Sequence, residues 1–299
     1  MSISNKKTYN INQILKESSL PRLETELLLA FLLEKEREFI LTHPEIKITP
    51  ALYKKFKTLA AKRSKNWPIA YLTGQKEFYG LNFKVSPSVL TPRPETEMMV
   101  EEIIRAVKNN LNSQRPSFII DLGAGSGAII IASAHGIKHL FPAHFKIINL
   151  AAVDISASAL KIAKQNTRKH QLDKKIKFYQ GNLLTPLRLE RQNLIGRELI
   201  IAANLPYLTP TQIKKSPSIS REPKIALDGG NDGLRYYREL FKQLVKLDLS
   251  GISCQVLCEI DPTQSRGISQ LAQRLFPGAK LKITKDLARK NRLLKISRN

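Results

Sequence analysis

The stretch "FIIDLGAGSGAIII", residues 118–131, decides the fold. Its first five residues, 118–122, have the apolar run of a buried strand. Three glycines follow at Gly123, Gly125 and Gly127, and an apolar helical run begins directly after them. Glycines let a backbone take positive φ and come close to a ligand. In an open α/β sheet, ligands bind at the carboxyl ends of the strands. The spacing is G-x-G-x-G, not G-x-G-x-x-G, which weakens a dinucleotide reading.

Outward from this stretch, strands and helices alternate. Strands are expected at 146–154 ("KIINLAAVD"), 175–180, 198–203 and 251–260, and helices at 95–110, after Ser156, from Asp232 and from Pro262. The last two strands, "AKLKIT" and "RLLKIS", are joined too briefly for a helical crossover and should pair antiparallel. The pattern predicts an α/β fold: a Rossmann-like, mostly parallel sheet with a final antiparallel strand. Residues 1–73 read as a separate small helical domain, with "LETELLLAFLLEKEREFIL" and "TPALYKKFKTLAAKRSK" as its helical runs, Thr49 as a cap and "HPEIKITP" as a loop. Residues 74–94 form the connector, a β-hairpin around Gly80 and then Pro87, Pro92 and Pro94; residues 95–299 form the larger domain. There is no internal repeat and no low-complexity tract.

Chemistry gathers at the strand ends. Asp121 lies at the end of the first strand, and the loop Gly123, Ala124, Gly125, Ser126 and Gly127 leaves it. Asp154 ends the next strand, where a carboxylate can accept both hydroxyls of a ribose and would repel a 2′-phosphate. Asn182 and Leu183 follow the third strand and can meet the edge or face of an adenine. Acid, glycine loop, acid and a polar–apolar pair together fit S-adenosylmethionine as cofactor. The fourth strand ends on Asn204, Leu205, Pro206 and Tyr207. A planar NH₂ is a poor nucleophile because its lone pair is delocalised. The Asn204 side-chain oxygen and the Leu205 backbone carbonyl could accept its two N–H groups as it pyramidalises. Pro206 stiffens the turn, and Tyr207 can stack on a flat substrate.

These four residues resemble two families. The asparagine-proline-proline-tyrosine form marks methyltransferases of amide or exocyclic amino nitrogens; with Leu205 the motif is similar to that of ribosomal RNA adenine dimethyltransferases. The rest of the chain resembles the release factor glutamine methyltransferases (the PrmC/HemK family): "PIAYLTGQKEFYGLNFKVSPSVLTPRPETE" at 68–97, "REPKIALDGGNDGLRYYREL" at 221–240, "EIDPTQ" and "KDLARKNR". That resemblance implies methylation of the glutamine of the Gly-Gly-Gln motif of peptide chain release factors, at its side-chain amide nitrogen. It assigns Gly123 to Gly127, Asp154, Leu183 and Asn204 to the cofactor, and Asn204 to Tyr207 to the glutamine. Asn182 stands where an Asp is usual, Arg289 where a Gly is usual and Leu205 where a proline is. The alternative reading is an adenine-N6 methyltransferase acting on RNA or DNA; a third is an RNA-binding protein on an inactive fold.

Composition bounds these readings. The 299 residues, 42% hydrophobic, can bury a large core beside a small one. No run is long and apolar enough for a membrane helix, and "MSISNKKTYN" lacks a signal-peptide pattern, so a cytoplasmic protein without a membrane partner is expected. Cys254 and Cys258 in one strand would lie about 13 Å apart, too far for a disulfide. No second Cys/His pair has ligand spacing, and Gly136 stands between His135 and His139 where a zinc-protease helix needs Glu, so no metal is expected. Lys and Arg number 49 against 25 Asp and Glu, a net +24 compatible with proximity to nucleic acid or ribosomes, though no stripe of cations is interleaved with aromatics.

Overall fold

A computed structural model describes residues 9–111, 115–187, 189, 191–247 and 249–298, arranged as two units. The smaller comprises the described part of Met1–Gln75 together with Ser216–Arg221. Its helices are Ile11–Glu17, Arg22–Leu33, Arg37–Thr42, Pro50–Arg63 and Ile69–Thr73, packed around Ile11, Leu28, Leu29, Ile40 and Phe56. Thr49 caps as expected, accepting from Leu52 N at 3.3 Å. The apolar run at 23–41 is not one helix. Glu34 turns left-handed at φ 54°, and the new direction brings Arg37 back to the buried Glu26, 2.8 Å away, where Arg22 also lands. "HPEIKITP" is not wholly loop either: Lys47–Ile48 pairs antiparallel with Tyr9–Asn10, a ladder too short to show a period of two. Arg221 lies 5.5 Å from the Trp67 ring centroid, which ties the distant Ser216–Arg221 segment to this unit.

The connector hairpin joins strands Gln75–Phe78 and Leu81–Lys84. Tyr79 and Gly80 both have positive φ, the mark of a type I′ turn whose twist suits a two-residue connection. Phe78 and Phe83 are buried in the larger unit.

That larger unit is built on seven strands: β1 (Ser117–Leu122), β2 (Asn149–Asp154), β3 (Ile176–Gln180), β4 (Glu198–Ala203), β5 (Ser253–Glu259), β6 (Lys280–Lys285) and β7 (Asn291–Arg298). Their order is β6-β7-β5-β4-β1-β2-β3, with β7 antiparallel to both neighbours and the other pairings parallel. Alternation along each strand divides the core. Ile120, Leu122, Val153 and Ile201 face helices α4 (Arg235–Lys246) and α5 (Ser265–Leu275), through Tyr237, Phe241 and Ile268. Ile119, Leu150, Ala152 and Ile200 face α1 (Glu97–Asn110) and α2 (Ala128–Leu140), through Val100, Ile103, Ile130 and Ile137. A sheet covered on both faces explains why β1 and β4 are apolar at nearly every position. Helix α3 (Ala157–Lys169) is capped by Ser156, which accepts from Ala159 N. Among the described residues no helix is long and apolar enough to cross a membrane.

The strand expected from residue 146 starts at Asn149, because Pro142 opens a short helix that runs to Ile147. Proline is preorganised for a first helical turn, and a continuous apolar run does not distinguish helix from strand. Cys254 and Cys258 are both free and buried in β5; burial pushes the Cys254 thiol up to about 12.

The β6–β7 turn carries a local conflict. Arg289 sits at φ 58°, where its Cβ crowds the backbone, although Arg289 N still donates to Asp286 O at 2.8 Å. Arg289→Gly should therefore raise the unfolding free energy by about 0.5–1 kcal/mol, after the entropic cost of glycine is subtracted. Urea denaturation checks this; an unchanged or lower midpoint would show that the turn is not strained.

Candidate active site

Strand register builds the site. Leu122 pairs with Val153 on one side and with Ala203 on the other; Asp154 pairs with Gln180 and Ala203 with Cys258. Within a step of these paired ends lie Gly123, Asp154, Gly181, Asn204 and Glu259, all at the carboxyl edge of the sheet. Gly123 N and Ala124 N both donate to Val153 O, at 2.9 and 3.0 Å, which folds the glycine loop back over β2. Gly123, Gly125 and Gly127 have φ of 73°, 54° and 79°, values a side chain resists. A Cβ on Gly123 would lie 3.3 Å from Leu205 Cδ2 and 3.5 Å from Asn204 O, so the close approach of loop and motif also needs glycine. Asn166, fully buried, accepts from Lys84 N and donates to Lys84 O and Ser126 O, bolting the hairpin to the loop.

These strand ends wall an open cleft of about 1040 Å³, the solvent space at its mouth included. Gly123, Ala124, Gly125, Ser126, Asp154, Asn182, Leu183, Asn204, Leu205 and Pro206 all line it, beside connector residues such as Thr91, Arg93 and Thr96. Asp154 accepts from Gly125 N through Oδ2 and from Ser156 N through Oδ1, each at 2.8 Å. Burial raises its pKa while these bonds lower it. A carboxylate has about four acceptor directions, so beyond its backbone bonds Asp154 retains capacity to accept from a ribose hydroxyl. With glycine bared at the loop and the buried Leu183 on the adjoining wall, the residues fit a nucleoside-bearing cofactor.

Three expected site residues lie behind the lining. Asp121 is fully buried under the loop, where its Oδ2 accepts from Ile130 N at 3.3 Å and burial pushes its pKa up to about 7. Gly127 packs α2 on α3; a Cβ there would lie 3.0 Å from Ile131 Cδ1 and 3.3 Å from Ala163 Cβ. Asp121 and Gly127 thus shape the loop from within. Tyr207 does not put its ring on the cleft wall; its hydroxyl donates instead to Glu259 Oε1 at 3.1 Å.

Other residues come forward only in three dimensions. Asn204 Nδ2 donates to Thr96 Oγ1 at 3.2 Å, and Thr96 Oγ1 donates to Glu259 Oε2 at 2.6 Å. Arg93 Nη2 pairs with Glu222 Oε2 at 2.6 Å, which joins the proline-rich connector to the segment after the motif. Burial raises the Glu222 pKa and the Arg93 charge lowers it. Gly229 N donates to Leu208 O at 2.8 Å, and a Cβ on Gly229 would lie 2.7 Å from Tyr207 Cα. Gly229, the first glycine of "LDGG", therefore packs directly on the backbone of the motif. The only sequence signals for Thr96, Glu222 and Glu259 were the similar segments "RPETE", "REPKIAL" and "EIDPTQ" in which they sit.

Comparisons with known proteins agree with this geometry. Residues 10–74 match the PrmC N-terminal domain and residues 116–210 a methyltransferase domain. The chain is 39% identical over 229 residues to the release factor glutamine methyltransferase of Coxiella burnetii, covering 76% of this chain and 75% of that one. It is 34% identical over 274 residues to that of Moorella thermoacetica, covering 91% and 89%. Among solved structures, the hMettl16 catalytic domain in complex with MAT2A 3′UTR hairpin 6 superposes with a TM-score of 0.55 at 12% identity, over 82% of this chain and 81% of that one. At that identity the likeness concerns the fold.

Asp154→Ala removes the acceptor pair on β2. Affinity for S-adenosylhomocysteine should fall by about 1.5–3 kcal/mol, roughly 10- to 150-fold. Calorimetry showing parental affinity would take Asp154 out of the site.

Proposed function

The chain belongs to the release factor glutamine methyltransferase family, and from that premise we propose that it transfers a methyl group from S-adenosylmethionine to the side-chain amide nitrogen of the glutamine in the Gly-Gly-Gln motif of peptide chain release factors, in support of translation termination. The observation that carries this reading is the Asn204 amide at the cleft wall. Its nitrogen end is committed to Thr96, so its oxygen end is the one available to a substrate.

The cofactor, when bound, supplies a methyl carbon made electrophilic by the sulfonium. Asp154 would take its ribose, the glycine loop its close backbone approach, and Asn182 and Leu183 its adenine. The substrate NH₂ presents two hydrogens. Asn204 Oδ1 and the Leu205 backbone carbonyl accept one each, which orients the nitrogen and favours its pyramidal form over the planar, conjugated one. Methylation forms the N–CH₃ bond, breaks the S–CH₃ bond and releases one amide proton. The contribution of the protein is preorganised polarity and position, with no base of matched pKa required. Leu205 is 3% exposed and sits against Gly123, so packing replaces part of the stiffness a proline would give while its carbonyl is retained.

The adenine reading draws on the leucine form of the motif and on the charge of +24. Against it, Arg93 is the one Lys or Arg among the described residues lining the cleft, and it is already paired with Glu222. A groove that tracks a phosphate backbone needs free cations along its rim.

Asn204→Ala should slow the chemical step about 10²-fold or more, as loss of one preorganised polar contact does, with a smaller effect on cofactor binding. Leu205→Pro keeps the carbonyl and should retain activity. Single-turnover labelling of a release factor, run beside deproteinised RNA, decides: a parental rate in Asn204→Ala ends the amide-clamp mechanism, and a parent enzyme that labels only RNA makes adenine the substrate.

We also propose that residues 1–73 grip the protein substrate, with 74–94 as connector and 95–299 as the catalytic domain. The large unit has a core on both faces of its own sheet, so deletion of 1–73 should spare S-adenosylhomocysteine binding and impair methylation of an intact release factor. Undiminished methylation by the truncated enzyme would contradict that role.

A further inference from the structure

We propose that Glu259 is a positioning residue which, through the Thr96 hydroxyl, decides which end of the Asn204 amide faces the substrate nitrogen, and that the same carboxylate fixes Tyr207. The inference rests on the amide-methylation reading of the cleft and adds two residues to it.

The two ends of a carboxamide have nearly the same shape and opposite polarity. An Asn204 turned by 180° about its last torsion would offer N–H groups to an NH₂ that itself carries only donors, and the clamp would repel its substrate. Something in the protein must choose the end. Thr96 Oγ1 has one proton to give, and Glu259 Oε2 stands 2.6 Å from it. A carboxylate can only accept, so the Thr96 proton goes to Glu259. Toward Asn204 the hydroxyl then shows a lone pair, and the group 3.2 Å away must be a donor, Nδ2. With Nδ2 fixed on Thr96, Oδ1 is directed to the other side.

The hydroxyl has no competing duty. Thr96 ends the 3-10 turn Pro94–Thr96 that runs into α1; it has helical φ and ψ, and its side chain makes no bond to the helix backbone. Both Thr96 and Glu259 are nearly inaccessible to solvent, at 4% and 2%, so water does not readily substitute for either partner. The second oxygen of Glu259 accepts the Tyr207 hydroxyl at 3.1 Å, and Tyr237 gives its one proton to the Glu259 carbonyl, with Ala203 O 3.3 Å from the same hydroxyl. One buried residue at the end of β5 thus holds the first and last members of the Asn204–Tyr207 motif. Burial raises the Glu259 pKa, and Thr96, Tyr207 and the Arg292 charge offset this only in part; the relay runs in this direction while Glu259 is ionised, because a protonated carboxyl would donate to Thr96 and reverse it.

Three variants test the relay. Thr96→Val keeps the shape and removes the hydroxyl; Thr96→Ser keeps the hydroxyl; Glu259→Gln keeps the size and turns one acceptor into a donor. Each is assayed by single-turnover methyl transfer from labelled S-adenosylmethionine to a release factor, with S-adenosylhomocysteine affinity measured alongside. Thr96→Val and Glu259→Gln should each lower the transfer rate roughly 10-fold or more with cofactor affinity little changed. Thr96→Ser should restore most of the rate, and the Thr96→Val/Glu259→Gln double variant should be no slower than the slower single, because the two act as one unit. Parental transfer by Thr96→Val overturns the proposal, and so does a Thr96→Ser enzyme as slow as Thr96→Val, which would reduce Thr96 to packing. If Glu259→Gln fails to fold, the Thr96 pair decides alone. A parent enzyme inert on the release factor would defeat the functional reading itself, an outcome separate from an active parent whose Thr96→Val variant is equally active.

Discussion

Everything at the cleft depends on β1 being hydrogen-bonded on both sides in one fixed register. Leu122 lies level with Val153 and with Ala203, and Ala203 lies level with Cys258. A slip of one residue in any of these pairings would turn every side chain of that strand to the opposite face and so exchange the residues that the two cores are packed to receive. Because both faces of the sheet are buried, that slip is costly, and the register is held by the same apolar residues that fill the two cores. The site inherits the precision of the core: Gly123, Asp154, Asn204 and Glu259 leave the sheet together because their strands end together.

Glycine then sets how closely these ends approach. At Gly123 the loop comes within van der Waals reach of Leu205, and at Gly229 the later segment reaches the backbone of Tyr207. The motif is therefore gripped between two glycine contacts, one in front and one behind. The Arg93–Glu222 ion pair adds a third constraint by joining the connector to the segment that carries Gly229. A rigid scaffold of this kind suits a reaction in which the protein provides orientation and polarity rather than a proton acceptor.

Rigidity here requires buried charge, which is unfavourable unless every group is answered. Glu259 is answered by two hydroxyls, and Glu26 in the small unit by two arginines. Burial and bonding act in opposite directions on these carboxyls. At Glu26 the arginines prevail and the pKa is lowered, whereas at Glu259 burial prevails and it is raised. Two things differ: Glu259 lies much deeper, so its desolvation is larger, and its bonding partners are neutral hydroxyls where those of Glu26 carry full opposite charges.

The sequence by itself determined the fold class, the glycine loop, Asp154 and the Asn204–Tyr207 motif, because each is a local pattern: residue types at fixed offsets from the end of an apolar run. Resemblance over 68–97 and 221–240 carried the choice of substrate, which the four motif residues alone left open between an amide and an adenine. Tertiary structure decided what depends on groups far apart in the chain. The break at Glu34 lets Arg37 return to Glu26, a contact no local pattern announces, and the short helix ahead of β2 starts from a proline inside an ambiguous apolar run. Tyr207 is not among the residues lining the cleft, and its hydroxyl donates to Glu259. Thr96 and Glu259 are 163 positions apart, and no periodicity links them. A hydrogen bond is specified by distance and direction in space, and only the register of β4 beside β5 and the docking of α1 bring those two side chains to one amide.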